Sequence, residues 1–269
     1  MKDKVVIITG GSSGIGKALA EKFGRQGSKI LITGRNESRL QATLDELVGK
    51  GIEVHSFVGD VSVEENNRKM AAEAIRLFDR IDILINNAGV GMRALFEDLD
   101  IGVFKNVIDI NFYGTVYATK YCLPHILESK GSIIGVSSII GRRGTPARTA
   151  YAASKFAMEG FLESLRMEVS KRGVHVLTAC PGFTTSNIRL NAYTANGHEQ
   201  GESPRNEENM MSPERVADSI YHATLKHKRD IVLTVKGKLV IFLNKWLPRV
   251  MDNIVHNAMA KEADSPLKN

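Results

Sequence analysis

The sequence is poor in the residues that build disulfide frameworks and metal knuckles. Two cysteines, Cys122 and Cys180, occur among 269 residues, neither with a CxxC partner, so both are expected to be core thiols. The seven histidines are scattered without an HExxH or paired spacing, and no bound metal is expected. No apolar run approaches the ~18–20 residues of a membrane-spanning helix. The longest in the C-terminal region is Leu239-Val240-Ile241-Phe242-Leu243. Gly/Ser/Pro-rich tracts, repeats and low-complexity segments are missing too, which excludes a fibrous or disordered chain. An apolar strand begins by Val5, leaving no room for a signal sequence, and a cytoplasmic location is expected.

With 43% hydrophobic and 25% charged residues, the 269 residues are expected to form one domain around a single core. The net charge of +6 is local. Between Lys226 and Arg249 seven Lys/Arg stand against the single Asp230, so that segment alone accounts for it. A general nucleic-acid-binding face is thereby excluded, and one basic patch near the C-terminus is expected.

Short β-branched runs recur at Val5–Thr9, Lys29–Thr33, Val54–Val58, Ile81–Ile85, Ser132–Val136, Val174–Ala179 and Asp230–Val235, separated by helical spacing such as Ala18–Phe23 and Leu40–Leu47. Strands apolar on both faces that alternate with helices predict an α/β fold: a Rossmann-type doubly wound parallel sheet of about seven strands. The pattern lapses twice. Residues 183–212 are polar and rich in Asn and Glu, which suits a lid. From Lys236 onward Val240, Leu243, Leu247, Val250, Ile254 and Ala258 repeat at helical intervals among Lys and Arg, predicting a basic amphipathic extension over 236–269, interrupted at Pro248.

Directly after the first strand comes Thr9-Gly10-Gly11-Ser12-Ser13-Gly14-Ile15-Gly16. Glycines at this strand-to-helix junction let the backbone approach a pyrophosphate, which then rests on the exposed N–H groups of the helix N-terminus. At the end of the second strand, where an NAD-specific site carries a carboxylate for the ribose 2′-hydroxyl, this chain has Gly34 and Arg35. Arg35, with help from Arg39, can receive a 2′-phosphate, so NADP(H) is expected. Asp60 and Val61 close the third strand, with Asp60 placed to accept from the adenine amino group. Asn87, Ala88 and Gly89 close the fourth, small residues that admit a close approach.

Tyr151 and Lys155 are four residues apart, on one face of a predicted helix. An adjacent ammonium stabilises a phenolate, which makes Tyr151 a general acid for an alkoxide formed by hydride delivery. Ser138, at the end of the fifth strand, can hydrogen-bond the carbonyl oxygen, with Ser137 the less suited neighbour; Asn111 can hold a water connecting Lys155 to solvent.

Taken in order, these motifs resemble the single-domain short-chain dehydrogenase/reductase family. Its Thr-Gly-x-x-x-Gly-x-Gly is matched by Thr9–Gly16, its Asn-Asn-Ala-Gly by Asn86–Gly89, its Tyr-x-x-x-Lys by Tyr151–Lys155 and its Pro-Gly by Pro181-Gly182. The resemblance implies that Tyr151 is the proton donor/acceptor. It also implies that Lys155 binds the nicotinamide ribose and lowers the Tyr151 pKa, that Ser138 orients the carbonyl, and that Asn111 completes a proton relay. Cofactor contacts are further implied for Gly10, Ser12, Ser13, Gly14, Ile15, Gly16, Pro181, Gly182, Thr184 and Ser186, the last two retaining hydroxyls where the motif departs to Phe183-Thr184-Thr185-Ser186. A homodimer or homotetramer is implied as well.

From Ser137 through Ser186–Ile188, Leu190–Gly197 and the basic tail, the chain is similar to the dehydrogenase/reductase 7 and 7B branch. That similarity implies a hydrophobic or lipid-like carbonyl substrate. The N-terminal anchor of some of those relatives is not expected; the C-terminal extension either lies against the lid or a membrane surface or packs its apolar stripe on the core or a partner subunit with its charges in water. The competing class is a non-catalytic NADP(H)-sensing or membrane-surface protein, although all four catalytic positions are filled. Arg142, Arg143 and Arg148 suit an anionic substrate or, equally, a charged surface.

Overall fold

A computed structural model describes residues 1–185, 188–203 and 210–268. In chain order they form β1 (Val5–Thr9), α1 (Gly14–Arg25), β2 (Lys29–Gly34), α2 (Glu37–Gly49), β3 (Val54–Val58), α3 (Glu64–Phe78), β4 (Ile83–Asn86) and α4 (Ile101–Ile108). There follow α5 (Gly114–Ser129), β5 (Ser132–Val136), α6 (Thr149–Val169), β6 (His175–Cys180), α7 (Pro213–Leu225), β7 (Asp230–Val232), α8 (Val235–Trp246) and α9 (Pro248–Ala260).

The strands make one seven-stranded sheet in the order β3-β2-β1-β4-β5-β6-β7, and each neighbouring pair is parallel. The side-chain period of two divides each strand between two cores. Val6, Ile8, Ile30, Ile32, Ile85 and Val136 pack under α1, α2 and α7. Ile7, Leu31, Leu84, Ile133 and Val176 pack under α3, α5 and α6. Burial on both faces is why these runs read as continuously apolar. Strand order reverses between β1 and β4, and a crevice at the carboxyl ends beside such a reversal is where open α/β sheets bind ligands.

Several boundaries differ from the sequence reading. β4 begins at Ile83; Asp82 just before it still hydrogen-bonds Val5 and Ser132 through its backbone, and its carboxylate accepts from the Val5 amide at 3.0 Å and pairs with Lys4 and Arg80. β7 ends at Val232, and Thr234 instead caps α8, its hydroxyl accepting from the Gly237 amide. The extension is two helices, with Pro248 opening the second. The break at Leu247 resets the helical phase, so the repeat from Val240 to Ala258 does not form one packing face. Gly237, Met251 and Val255 are buried instead, while Leu247, Val250 and Ile254 are exposed. Both cysteines are buried, and burial pushes each thiol up to about 12. Among the described residues no helix is long and apolar enough to cross a membrane.

Candidate active site

The turn after β1 is built for close approach. Gly10 and Gly14 take positive φ of 65° and 51°. A Cβ on Gly16 would stand 2.1 Å from the Gly10 carbonyl oxygen, so α1 can begin here only with glycine. Thr9 ties this turn to β4: its hydroxyl receives the amides of Asn87 and Ala88 at 3.0 and 3.1 Å. The Asn87 side chain donates to the carbonyls of Thr9 and Gly10. Ser13 precedes α1 without capping it through its side chain, and the first turn holds no acidic residue. Ile15 lies half-buried against the core. This cradle of amides at a helix N-terminus fits the pyrophosphate of a dinucleotide, both in charge and in the room its glycines leave.

The adenosine end is set by β2 and β3. A Cβ on Gly34 would stand 3.3 Å from Ser12 Oγ, so a longer acidic side chain would crowd the turn as well as add negative charge. Arg35 faces Asp60 at 3.7 Å across an exposed edge. The other Asp60 oxygen accepts from the Ser62 amide and hydroxyl at 2.9 and 2.6 Å. The carboxylate expected to meet adenine is therefore already held as a turn. Val61 is half-buried beside Val90, Val107 and Ile110, a third apolar cluster on the substrate side.

At the sheet's centre, Lys155 is 3% exposed and its ammonium donates to the Val136 carbonyl at 2.9 Å. Tyr151 lies one turn earlier on α6, its ring centroid 5.9 Å from Lys155 Nζ. Ser138 follows β5, its hydroxyl accepting from the Ile140 amide at 3.2 Å and hydrogen-bonding the Tyr151 phenol. Asn111 sits in a π-helical turn, Asp109–Tyr113, between α4 and α5; such bulges break the regular hydrogen-bond ladder and recur at functional sites. Its side chain accepts from the Val90 amide and donates to the Val90 carbonyl and to Ser154 Oγ, at 2.8, 3.0 and 2.9 Å. Gly89 lies where Asn111 and Lys155 meet: a Cβ there would be 3.1 Å from Asn111 Oδ1 and 3.6 Å from Lys155 Nζ.

The electrostatics correct one expectation. Burial holds the Tyr151 phenol above the ordinary tyrosine range, against the Ser138 hydrogen bond and the Arg148 charge, which favour the phenolate. Lowering by Lys155 is not what this structure shows. The ammonium is turned to Val136, and burial drives Lys155 itself down to about 8, opposed by the Glu159 carboxylate and Cys180.

Pro181 and Gly182 follow β6. The Pro181 carbonyl accepts from the Ile139 amide, and a Cβ on Gly182 would meet Thr234 at 2.7 Å, so this turn is wedged between the Ser138 segment and α8. Thr184 is buried, its hydroxyl donating to the Gly182 carbonyl at 3.2 Å. Ser186 lies outside the described residues. Of the expected lid, Tyr193 exchanges backbone hydrogen bonds with Gly91 and Arg93, and the Ala195 carbonyl accepts from Asp100.

Arg142, Arg143 and Arg148 each face a carboxylate of this chain: Glu159 and Asp230, Asp252, and Glu262 respectively. The anionic-substrate alternative loses its ground. Sequence reasoning missed Glu159 and Ser154, and named Thr9 in its motif without its tie to Asn87 and Ala88; the signal for Glu159 was a glutamate four residues beyond Lys155.

With this geometry in hand, comparison with known proteins is specific. The short chain dehydrogenase family model matches residues 4–196. Dehydrogenase/reductase SDR family member 7B of Mus musculus is 33% identical over 98% of this chain and 84% of its own length. The uncharacterized oxidoreductase YxnA of Bacillus subtilis is 34% identical over 99% and 76%. Among solved structures, a short chain dehydrogenase/reductase from Burkholderia phymatum in complex with NAD superposes with TM-score 0.84 at 24% identity, over 94% of this chain and 96% of its own. LigD from Sphingobium sp. strain SYK-6, in its apo form, gives 0.78 at 26%, over 93% and 97%.

Proposed function

Because this chain belongs to the short-chain dehydrogenase family, within its dehydrogenase/reductase 7 branch, we propose that it is an NADP(H)-dependent oxidoreductase. It interconverts a hydrophobic or lipid-like ketone or aldehyde with its alcohol. The observation that carries this reading is the gathering of Ser138, Tyr151, Lys155 and Asn111 at the carboxyl ends of β4 and β5, beside a glycine cradle at the sheet's point of reversal.

When bound, the nicotinamide supplies or accepts the hydride. Gly10 through Gly16, with Asn87, Ala88 and Gly89, would hold the pyrophosphate side, and Pro181, Gly182 and Thr184 would border the nicotinamide side; the Ser186 hydroxyl, which the family resemblance assigns to the cofactor phosphates, lies outside the described residues. Tyr151, kept protonated near neutral pH by its burial, gives its phenolic proton to the carbonyl oxygen as the alkoxide forms. Ser138 aligns that oxygen with its hydroxyl. Lys155 holds the nicotinamide ribose as a cation, and Asn111 fixes the segment after β4 and the relay behind Lys155.

The choice of NADP(H) over NAD(H) is supported by Gly34 and Arg35. The Arg35–Asp60 pair is long and exposed, worth about 0–1 kcal/mol, so a 2′-phosphate competes for that guanidinium readily. The outer face of α8 supports peripheral contact with an anionic membrane surface. Val235, Leu239, Phe242 and Trp246 form an exposed apolar stripe flanked by Lys236, Lys238 and Lys245. Exposed Tyr113, Phe156 and Met167 suit a homodimer or homotetramer, and the packing of Tyr193 and Ala195 on the apolar cluster of Val90 and Ile110 supports the reading of 183–212 as a lid, of which 186–187 and 204–209 lie outside the described residues. The chain works as one 1–269 domain in the cytoplasm.

The test is NADPH consumption over ketones graded by chain length, beside NADH and Tyr151→Phe. Turnover rises with chain length, is higher with NADPH, and falls by roughly 10²–10⁴ in the variant. Equal turnover by Tyr151→Phe would remove Tyr151 from the reaction.

A further inference from the structure

Glu159 lies on α6 one turn beyond Lys155 and is 9% exposed. One carboxylate oxygen accepts from the Ser137 hydroxyl at 2.5 Å and from the Cys180 thiol at 3.4 Å. The other is paired with Arg142, which pairs in turn with Asp230 at 2.9 Å. These contacts join the end of β5, the turn carrying Ser138, the end of β6 before Pro181-Gly182, and the helix carrying Tyr151 and Lys155. Space around the carboxylate is closed: a Cβ on Gly141 would stand 2.4 Å from Glu159 Oε1 and 2.6 Å from Ser137 Oγ. A buried ion pair is a poor way to stabilise a fold, since apolar residues of equal volume commonly do as well. No step assigned to Ser138, Tyr151, Lys155 or Asn111 uses this one.

We propose that Glu159 is a positioning residue for the hydride-transfer site: its buried carboxylate braces the Ser138 turn through Ser137 and Arg142 and stands one helical turn from Lys155 as that ammonium's acidic neighbour on α6. The inference rests on the reading of Lys155 as the residue that holds the nicotinamide ribose. It divides the Ser137-Ser138 pair between two tasks, one hydroxyl for the brace and the other for the substrate. The groups facing Lys155 are Tyr151 and Glu159 from α6, Cys180 from β6, the neutral Asn111 from the π-helical turn and the Val136 carbonyl. Those facing Glu159 are Arg142, Ser137 and Cys180, with Asp230 and Arg166 behind Arg142. Glu159 is the leading charge that opposes the effect of burial on Lys155.

The experiment titrates NADPH fluorescence from about pH 6 to pH 10 in the full chain, for wild type, Glu159→Gln and Arg142→Gln. Wild-type binding weakens as Lys155 loses its proton near pH 8. In Glu159→Gln that alkaline limb moves to lower pH by roughly one unit, read as about fivefold weaker binding at pH 8, approaching about tenfold above pH 9, with acid-side binding retained. Arg142→Gln removes the cation that offsets Glu159 and moves the limb the other way. If Glu159→Gln does not fold, the direction in Arg142→Gln decides. A third variant, Ser137→Ala, loosens the brace without touching the charge; it melts lower and leaves the limb in place. Limbs that coincide with wild type in both charge variants would overturn the proposal, leaving Glu159 a brace alone. The titration needs no carbonyl substrate, so a chain that binds NADPH and reduces no ketone still gives its result. NADH replaces NADPH if the 2′-phosphate is not recognised, because the nicotinamide ribose is common to both.

Discussion

Lys155 holds a charge in a place that disfavours it. Its folded value of about 8 lies below the 10.5 of an unfolded lysine, so the fold bears the cost of the ammonium fully below pH 8. That cost fades as pH rises through 8 towards 10.5. Lys155→Met therefore stabilises the unliganded protein at pH 7 by about 1–3 kcal/mol, a gain that shrinks by pH 10. Thermal melting across this range checks it; a lower melting point for the variant at pH 7 would contradict the burial cost. The pairing of Tyr151 with Lys155 was legible from their spacing, and Ser138 and Asn111 from their places after strand and helix. Their electrostatics were not. Spacing says that two side chains share a helix face, but only packing shows that the ammonium turns to Val136 and that burial raises the phenol against the Ser138 hydrogen bond and the Arg148 charge. Glu159 escaped notice for a related reason, since a single acidic residue on a helix normally faces water.

At the scale of elements, the central strands were the most legible part because β1, β2, β4, β5 and β6 are buried on both faces and read as apolar runs, whereas the edge strands β3 and β7 are half-exposed. Helix ends and the extension were less so. The interruption at Pro248 was legible, but the apolar repeat was read as one face across it, and the break at Leu247 places different residues against the body. One consequence is that α8 turns an apolar stripe outward, with Phe242 62% and Trp246 67% exposed, while its Gly237 packs on Ile139 beside Ser138. The full chain is expected to co-sediment with phosphatidylserine-containing vesicles, less so at high salt, and to lose most of that binding on Phe242→Ser with Trp246→Ser. Both side chains are exposed, so the melting point should move little. Equal sedimentation of wild type and variant would exclude α8 as the contact.

Across the whole molecule, the sheet's two halves are joined at the amino ends by one buried carboxylate. Asp82 is 1% exposed, and Lys4, Arg80 and the Val5 amide hold its pKa below the ordinary carboxylate value, against the opposing effect of burial. Its contribution is present at neutral pH and lost as pH falls through that depressed value. Asp82→Asn is expected to lower stability at pH 7 by about 1–3 kcal/mol. In urea unfolding the deficit narrows towards pH 3, and a deficit unchanged by pH would locate the effect in packing. The same sheet fixes function at its other end, where the strand order reverses between β1 and β4 and the glycine turn and Asn87 are tied together near the Ser138 turn.

The central claim is that hydride passes between a nicotinamide and a carbonyl at Tyr151. It is tested most directly by incubating the protein with NADPH deuterated at C4 on each face in turn and a long-chain ketone, then weighing the product. The expected product is an alcohol one mass unit heavier from one face only, and none from Tyr151→Phe above a trace. Tight NADPH binding with no labelled alcohol from either face would contradict it.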